Sequence, residues 1–246
     1  MKKTEYDRMA YREKTYWWHI GRLRIINAYL TMAVNDKKNR RILNIGCGTG
    51  GTVATLQRFG RVDNVDTSQQ AIDHMKRSGF NNLTKVTGTK LPFKDNSFDI
   101  IAAFDVLEHI EDDLGALNEW RRVLKPGGAV VLTVPAYQWL WSSHDEALFH
   151  KRRYTVGRLR RVTNQANLRA DKMSYAIVFS LPLVVVFRFI NKVLRRQPSS
   201  ATSYVDVPAV VNHLFTKLLY AEAKAHRMIK FPAGTSIVAI LRKSRD

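Results

Sequence analysis

A glycine-rich segment early in the chain has the composition of a ligand-binding turn. The segment Asn44-Ile45-Gly46-Cys47-Gly48-Thr49-Gly50-Gly51 follows a predicted strand and opens a predicted helix. Glycines at positions 46, 48 and 50 permit positive φ angles and let a ligand approach the backbone closely. Asp66 follows about twenty residues after the first glycine, at the end of the next predicted strand, where a carboxylate can accept both hydroxyl groups of a ribose. The pattern predicts a site for a ribose-containing ligand, although a dinucleotide or mere tight packing of the turn also fits the glycines alone.

A second group of reactive side chains lies in the loop after the fifth predicted strand. This loop is dense in aromatic and titratable residues, and it follows a strand end that points at the same site. We take His144 and His150 as candidate catalytic proton acceptors, with Asp145 orienting them or substituting for them. Metal ligation by these three residues lacks supporting carboxylates elsewhere, so no metal site is predicted. The alternative is a structural ion pair of the aspartate with Arg152 or Arg153 that closes the loop.

The elements that must position these groups alternate along the chain. From residue 40 onward, short β-branched runs alternate with helical stretches, which is typical of a parallel sheet covered by helices. The predicted strands are Ile42–Ile45, Val62–Asp66, Leu83–Val86, Phe98–Phe104, Ala129–Val134, Met173–Val178 and Ser236–Leu241. The predicted helices are Gly51–Phe59, Ser68–Ser78, Asp112–Val123 and Val156–Asn167. Lys125-Pro126-Gly127-Gly128 predicts a helix stop and a turn into the fifth strand.

Two segments lie outside this alternation. Residues 1–39 are polar, then aromatic at Tyr16-Trp17-Trp18-His19, then helical, and they predict an N-terminal helical cap over the sheet edge. Residues 179–233 separate the last two strands by far more than a turn needs, and they predict a basic helical insertion that acts as a substrate lid or a membrane contact. The core is then expected to comprise residues 40–178 and 234–246.

Composition and charge restrict the class of protein. The chain has 246 residues, 45% of them hydrophobic, which suffices for a sizeable core and excludes a disordered tail protein. The one cysteine, Cys47, cannot form an internal disulfide, which indicates a reducing compartment. Residues 1–150 carry 21 Lys and Arg against 17 Asp and Glu, whereas residues 151–246 carry 19 against 4. The cationic third is expected to meet phospholipid headgroups, RNA or a phosphorylated substrate. No signal peptide or spanning helix is predicted, so we expect an intracellular, cytoplasmic protein.

Five motifs occur in order between about Arg41 and Pro135. They are Asn44–Gly50, Val65-Asp66-Thr67-Ser68, Leu91-Pro92-Phe93 with Asn96-Ser97-Phe98-Asp99, Phe104-Asp105-Val106-Leu107-Glu108-His109-Ile110, and Leu124-Lys125-Pro126-Gly127-Gly128. In this order and spacing the chain resembles the class I S-adenosylmethionine-dependent methyltransferases. The resemblance implies an α/β, Rossmann-like fold with a seven-stranded sheet whose last strand, here Ser236–Leu241, is antiparallel. The N-terminal helical cap and the helical insertion before the final strand would be additions to that fold.

The resemblance also implies S-adenosyl-L-methionine as the cofactor and S-adenosyl-L-homocysteine as its product. The glycines would line the methionine and ribose portion, and Asp66 would hold the ribose hydroxyls. Relatives commonly place an acid at the adenine amino group and another before the glycine loop. This chain has Thr89 and Asn44 there, and both changes remove negative charge. The implied cofactor contacts are Gly46, Gly48, Gly50, Asp66, Thr67, Thr89, Lys90, Leu91, Asp105, Trp18 and Arg22.

Two of these motifs have a second interpretation. The aromatic segment with Arg22 is similar to a lead-in that folds over the cofactor in some relatives, where the arginine could pair with the cofactor carboxylate. Packing of Trp17 and Trp18 within the cap is the alternative. Glu108 and His109 could act as a general base pair, or they could shape the pocket floor and lead into the next helix.

Residues 183–196 combine a cationic helix face with an apolar one. The cationic face holds Arg188, Lys192, Arg195 and Arg196, and the adjoining apolar face holds Leu183, Phe187, Ile190 and Leu194. Because every charge is positive, the pattern favours a helix at an anionic membrane surface over an ordinary amphipathic helix packed on the sheet. Residues 197–203 predict a hinge, and Ala209–Met228 predicts a helix that forms the other half of a lid.

Together these features predict a methyltransferase that methylates an oxygen of a lipid-linked or amphiphilic small molecule, as a peripheral protein at the inner face of the membrane. Methyl transfer to a hydroxyl requires an aligned nucleophile and removal of its proton, which suits a neutral imidazole. An RNA methyltransferase is one alternative, because the cationic segment would bind phosphates, although no appended RNA-binding module is found. A non-catalytic scaffold is the other, and the lost acids at Asn44 and Thr89 support it.

Overall fold

The computed structural model describes residues 3–34, 39–193 and 207–244. The strands are β1 (Arg41–Ile45), β2 (Arg61–Asp66), β3 (Leu83–Lys85), β4 (Phe98–Phe104), β5 (Leu124–Pro135), β6 (Leu168–Ala176) and β7 (Ser236–Lys243). The α-helices are α1 (Lys3–Thr15), α2 (Trp17–Ala33), α3 (Val53–Gln57), α4 (Gln69–Arg77), α5 (Asp113–Val123), α6 (Ser143–Ala147), α7 (Val156–Gln165), α8 (Ser180–Val193) and α9 (Ala209–Ala225). Two short 3₁₀ helices cover Leu107–His109 and Gln138–Leu140.

The strands of the described residues form one sheet in the order β3-β2-β1-β4-β5-β7-β6. Strands β1 to β5 are mutually parallel, and β7 inserts antiparallel between β5 and β6. This arrangement confirms the predicted seven-stranded α/β sheet with an antiparallel last strand. The central strand β4 is almost entirely buried, which explains why it reads as a continuous apolar run rather than an alternating one.

Strands β5 and β6 begin well before their predicted starts, and the other strand boundaries differ by one or two residues at most. Lys125–Gly128 was expected to be a turn, but these residues belong to β5. The ladder with β4 pairs Phe98 with Leu124 and then Ile100 with Ala129, so the segment forms an irregular bulge inside the strand. Strand β6 begins at Leu168, earlier than predicted, because its antiparallel ladder with β7 already starts there.

Local sequence explains where the helices on the sheet begin. The side chain of Ser68 accepts a hydrogen bond from Ala71 N at the start of α4, at 3.3 Å. Asp112 Oδ1 accepts from Gly115 N at 2.8 Å before α5, and Thr155 caps α7 in the same way. Each cap satisfies a backbone N–H that the helix itself leaves free, so the chain turns into a helix at these positions.

Helices cover both faces of the sheet. One face packs against α5 and α7 through buried residues that include Trp120, Leu117 and Leu159. The other face packs against α2 and α9, through Ile26, Tyr29 and Leu219 among others. The sheet is therefore the middle of three layers, as parallel sheets require.

Helices α2 and α9 form one continuous layer although they lie far apart in the chain. The backbone N–H of Trp17 donates to Asn212 Oδ1 at 2.9 Å, and the Trp17 ring lies 5.1 Å from that of Phe215. Leu219 of α9 fills the space beside Gly21 of α2, where even a Cβ atom would collide with it. The division of the chain into cap, core and insertion stays a prediction, because the cap and the second helix of the insertion pack as one layer.

Several predicted features fall outside the described residues. Leu194, Arg195 and Arg196 of the predicted cationic helix lie there, as does the predicted hinge at residues 197–203. The side chains of residues 187–193 are likewise not described, although their backbone continues α8. Among the described helices, none has the length and apolar character needed to cross a membrane.

Candidate functional site

The glycine loop follows β1 and combines packed glycines with an open one. Gly46, Gly48 and Gly50 have φ angles of 71°, 52° and 89°, a region that favours glycine. A Cβ atom at Gly46 would lie 2.5 Å from Val106, and one at Gly50 would lie 2.5 Å from Met75, so neither position has room for a side chain. A Cβ atom at Gly48 would meet nothing within 4 Å. The middle of the loop therefore presents its backbone to open space.

Asp66 faces this loop from the neighbouring strand. Because β1 and β2 are parallel and Ile45 pairs with Val65, the residues that follow them meet at one edge of the sheet. Asp66 Oδ2 accepts a hydrogen bond from Gly48 N at 2.9 Å, and Oδ1 accepts one from Ser68 N at 2.8 Å. Each carboxylate oxygen can accept a further hydrogen bond, so the group still has capacity for ligand hydroxyls.

The geometry of this edge fits an adenosyl cofactor. The open backbone at Gly48 lies beside the half-buried carboxylate of Asp66, which faces it. A bound ribose needs such a carboxylate to accept its hydroxyl groups. Thr67, the next predicted contact, is exposed beside Asp66. The loop and the carboxylate therefore provide a cradle with one open side.

The predicted adenine contacts lie after β3. Thr89 is half-buried and Lys90 is exposed. Leu91 N donates to Glu119 Oε1 at 2.7 Å, and the Leu91 side chain belongs to the buried core. The backbone amide of Leu91 is thus committed to a protein carboxylate, whose pKa is lowered chiefly by hydrogen bonds from Arg122.

Helix α1 covers one end of the glycine loop. Thr49 Oγ1 donates to Glu13 Oε1 at 2.5 Å, and a Cβ atom at Gly51 would lie 2.5 Å from the Glu13 carboxylate. Burial raises the pKa of Glu13, although the hydrogen bond from Thr49 opposes that shift. The cap therefore contacts positions 49 and 51 while Gly48 stays uncovered.

Two predicted cofactor contacts pair with each other. The Arg22 guanidinium forms an ion pair with Asp105, and its Nη2 donates to Thr133 Oγ1 at 3.2 Å. Thr133 Oγ1 in turn donates to Asp105 Oδ1 at 3.1 Å. The Trp18 ring lies 5.0 Å from the guanidinium carbon, within range of a cation–π contact. The arginine that the sequence assigned to a cofactor carboxylate is thus held by a protein carboxylate at the end of β4.

Asp145 is the centre of a buried hydrogen-bond network in the loop after β5. It is fully buried, and its carboxylate accepts from His150 Nδ1 at 2.9 Å, Arg153 Nε at 2.7 Å and Ser142 N at 2.8 Å. Burial alone raises the pKa of Asp145, but the hydrogen bonds from His150 and Arg153 outweigh it and hold the pKa well below its usual range. His144 does not join this network and exposes its side chain. The ion pair offered as the alternative interpretation forms with Arg153, whereas Arg152 pairs with Asp113 at 3.0 Å.

A cluster that the sequence did not assemble lies beside this network. One donor atom each of Glu108, His109 and His150 lies within 4.8 Å of the others. The two imidazole rings meet edge to face, with centroids 4.7 Å apart. Burial and then nearby Asp105 raise the pKa of Glu108, whereas burial and His150 lower that of His109. Glu108 and His109 were recognised as a pair, but nothing local indicated that His150 joins them.

An aromatic wall stands at the carboxyl end of β5. The Tyr137 ring stacks on Tyr175, with centroids 4.9 Å apart and an interplanar angle of 15°, and on Trp139 at 5.3 Å. Tyr137 has a φ angle of 58°, and Trp139 is 60% exposed. Burial, with a contribution from Tyr175, raises the pKa of Tyr137 to about 12, so its phenol stays protonated at neutral pH. The wall offers a flat apolar surface to a ligand.

A separate cavity lies at the other end of the strands. It is lined by residues that include Arg40, Asp99, Lys125 and Arg242. Arg40 precedes β1, and Asp99 and Lys125 lie at the amino ends of β4 and β5. Arg242 lies near the carboxyl end of the antiparallel β7, which is at the same end of the sheet, whereas the glycine loop follows the carboxyl end of β1. The cavity is therefore distinct from the site assembled around Gly48 and Asp66.

Comparisons with known proteins agree with this geometry. Residues 43–132 match a family model described as a methyltransferase domain. An uncharacterized methyltransferase of Schizosaccharomyces pombe is 38% identical over 109 residues, which cover 38% of this chain and 39% of that protein. A demethylmenaquinone methyltransferase of Staphylococcus epidermidis is 32% identical over 46% of this chain and 53% of its own length. The chain spans only about half or less of these relatives.

Solved structures share the fold over most of the chain. An S-adenosylmethionine-dependent methyltransferase of Mesorhizobium loti superposes with a TM-score of 0.57 at 13% identity, covering 87% of this chain and 96% of its own. The [4+2]-cyclase SpnF gives a TM-score of 0.57 at 20% identity, covering 89% and 81%. At these identities the likeness concerns the fold. Residues 43–132 therefore match a methyltransferase domain, and the fold that contains them is one that S-adenosylmethionine-dependent methyltransferases of known structure also have.

Proposed function

We propose that the protein transfers a methyl group from S-adenosyl-L-methionine to an oxygen atom of an amphiphilic small molecule at a membrane surface. The observation that carries this proposal is the open glycine backbone at Gly48 with the Asp66 carboxylate beside it. Helix α1 and the Arg22–Asp105 pair border this cradle, and the aromatic wall and the Glu108 cluster follow the neighbouring strands β4 and β5.

The residues divide into those that hold the cofactor and those that act on the acceptor. The backbone of the glycine loop and the Asp66 carboxylate would hold the methionine and ribose portions, and residues 67 and 89–91 would border the adenine. When bound, S-adenosylmethionine supplies an electrophilic methyl carbon, and its sulfur keeps the electron pair of the bond that breaks. Trp18, Arg22 and Asp105 would border the reacting end.

His150 is the best-placed proton acceptor among the residues the sequence proposed. Its Nδ1 donates to the Asp145 carboxylate, which only accepts, so Nε2 carries the free lone pair. Nε2 would take the proton of the acceptor hydroxyl, and Asp145 would act as a positioning residue. His144, which is exposed outside the network, has no comparable orienting partner among the described contacts.

Calorimetric titration with S-adenosylhomocysteine tests the cofactor half of the proposal. The wild-type protein is expected to bind it, and Asp66→Asn is expected to weaken binding by about 10- to 100-fold. Hydrogen bonds to a charged acceptor contribute about 1.5–3 kcal/mol each, and 1.4 kcal/mol corresponds to a factor of ten. Asp171→Asn is the matched control, because that aspartate lies on the edge strand β6 and pairs with Arg242, whereas Asp66 ends β2 near the opposite edge of the sheet. Equal affinity of the two variants would refute the assignment of Asp66.

The acceptor class is supported by the aromatic wall and by the names of two relatives. One is the demethylmenaquinone methyltransferase already described, and another is cycloartenol-C-24-methyltransferase 1 of Oryza sativa, 28% identical over 48% of this chain and 36% of its own length. Both names refer to molecules that are poorly soluble in water. A flat ring stacked on Tyr137 and Trp139 would place such a molecule at the carboxyl end of β5.

Transfer from ¹³C-methyl-labelled cofactor to a membrane lipid extract tests the acceptor. The label is expected in the organic phase, and carbon NMR distinguishes a methoxy group from a methyl group bound to carbon or nitrogen. Label that appears only in the aqueous phase or in added total RNA would refute the amphiphilic acceptor. A carbon- or nitrogen-bound methyl group in the lipid product would refute methylation on oxygen.

Membrane contact is supported by apolar side chains on the last two helices. Leu183, Val185 and Val186 of α8 are 51%, 40% and 56% exposed. On α9, Val210 and Leu214 are 80% and 52% exposed. The same part of the chain has 19 basic against 4 acidic residues from position 151 onward, which complements an anionic surface.

Co-sedimentation with vesicles tests this contact. The protein is expected to bind vesicles that contain anionic lipid and not neutral ones at low salt. Leu214→Glu is expected to weaken binding about tenfold or more, because full burial of a leucine side chain contributes about 1.5–3 kcal/mol. Gln70→Glu on α4 adds the same charge at an exposed position outside the two helices and is expected to change little. No binding by the wild-type protein would refute the membrane contact and leave the cofactor assignment untouched.

A further inference from the structure

Three potential metal ligands converge from two separate parts of the chain. Glu108 and His109 belong to the 3₁₀ helix after β4, and His150 follows α6. Lys151 N donates to Glu108 O at 2.8 Å, which fastens the second segment to the first. As a result, one donor atom of each of the three side chains lies within 4.8 Å of the others. The three side chains are therefore brought together by a backbone hydrogen bond between the two segments.

The Glu108 side chain is buried and has no protein partner. Glu108 is 0% exposed, and neither of its carboxylate oxygens has a hydrogen-bond partner among the described residues. Buried polar groups of native proteins are nearly always paired, so two unsatisfied oxygen atoms of one carboxylate call for a ligand. The nearby donor atoms of His109 and His150 show which side of the group such a ligand would occupy.

His150 is oriented as metal-binding histidines are. Its Nδ1 donates to Asp145 Oδ1 at 2.9 Å, and Asp145 is itself held by Arg153 Nε at 2.7 Å. A carboxylate that receives the Nδ1 proton fixes the tautomer and leaves Nε2 as a ligand atom. For His109, one ring nitrogen lies within 4.8 Å of the facing donor atoms of Glu108 and His150.

We propose that Glu108, His109 and His150 bind a divalent transition-metal ion, with Asp145 as the positioning residue behind His150. Two imidazoles and one carboxylate form a donor set that suits zinc and related divalent ions, and three protein ligands leave coordination positions for an oxygen atom. The role of the ion rests on the proposed function. A hydroxyl group of the acceptor would occupy an open position, and its proton would pass to solvent. With the ion bound, His150 is a ligand rather than a base.

Zinc binding by the tag-free full chain tests the site. After chelator treatment, the wild-type protein is expected to take up one equivalent of Zn²⁺ and to retain it through gel filtration. Glu108→Gln and His150→Gln are each expected to lower the affinity by about 100-fold or more, since loss of a second-shell partner alone costs 10–100-fold. His213→Gln, at an exposed position of α9, is the control for surface histidines and is expected to bind like the wild type. Thermal unfolding shows whether each variant is folded.

Cobalt gives a readout that does not depend on any variant. Co²⁺ in the wild-type site is expected to show visible absorption bands that Zn²⁺ abolishes. Absence of these bands together with no retained Zn²⁺ would overturn the proposal, and so would equal affinity in the wild type and both ligand variants. Binding of S-adenosylhomocysteine, measured on the same samples, distinguishes the proposed metal site from the proposed methyl transfer. Zn²⁺ uptake without S-adenosylhomocysteine binding removes the proposed methyl transfer and keeps the metal site, and the reverse result removes the site alone.

Discussion

Replacing Asp145 with asparagine distinguishes a role in folding from a role confined to catalysis. The carboxylate is fully buried and uses both oxygens, Oδ1 toward His150 and Arg153 and Oδ2 toward Arg153 and Ser142. An asparagine keeps the shape but has one acceptor oxygen, and its NH₂ group would face a donor. The Arg153 guanidinium, whose side chain is 11% exposed, would lose its counter-charge.

Loss of one partner of a buried ion pair costs about 3–5 kcal/mol of the free energy of unfolding. For a domain of this size each kcal/mol shifts the melting temperature by about 2–4 °C, so Asp145→Asn is expected to melt about 6–20 °C below the wild type. Because the pKa of Asp145 is lowered in the folded state, its contribution is present above the unfolded pKa of about 4 and is lost as the pH falls below it.

Differential scanning calorimetry between pH 3 and pH 8 measures both effects. The gap between the wild type and Asp145→Asn should be widest near neutral pH and should shrink below about pH 4. Glu146→Gln is the matched control, because it is an exposed neighbour in the same helix and should melt close to the wild type. If Asp145→Asn melts within 2 °C of the wild type but loses methyl transfer, the structural account is wrong and a catalytic role replaces it.

Three further outcomes follow from packing in and around the glycine loop. Gly50→Ala should unfold at a lower urea concentration than Gly79→Ala, with a free energy of unfolding that is lower by about 1–3 kcal/mol. Both glycines have positive φ, but only at Gly50 would the added Cβ atom collide with a neighbouring side chain, that of Met75. Equal urea midpoints of the two variants would contradict this. Burial raises the pKa of the Cys47 thiol to about 12, so the native protein should react slowly with a thiol reagent at pH 8 and the urea-unfolded protein rapidly, and fast native reaction would show that the loop opens. Glu222→Gln should cost about 1–3 kcal/mol in urea unfolding, since both carboxylate oxygens accept backbone N–H groups and an amide can serve only one; an unchanged midpoint would exclude that role.

The sequence predicted the parts of the site that depend on strand order. Gly46 and Asp66 meet because they follow neighbouring parallel strands, and the periodic apolar runs were sufficient to place those strands. Strand β4 was predicted with its correct bounds, because its two buried faces make its apolar run continuous. These features depend on patterns of apolar residues within short segments, which can be identified from the sequence alone.

The features that the sequence missed depend on long-range pairing. The extended start of β6 at Leu168 is set by its partner β7, whose residues lie about seventy positions later in the chain. His150 reaches Glu108 only because the loop after β5 is fastened by the Lys151 backbone and by Asp145. The sequence does not show how this loop folds, so Glu108, His109 and His150 were not recognised as one donor set, and His144 and His150 were interpreted as proton acceptors.

The layer shared by α2 and α9 determines how this protein can be engineered. Gly21 accommodates Leu219 without room for a Cβ atom, and Asn212 binds the backbone on both sides of the junction between α1 and α2. A chimera that exchanges the first 34 residues for those of another methyltransferase would therefore misfit unless residues 207–226 were exchanged as well. Residues 3–34 and 207–226 would then be exchanged together as one part, and the sheet would be left unchanged.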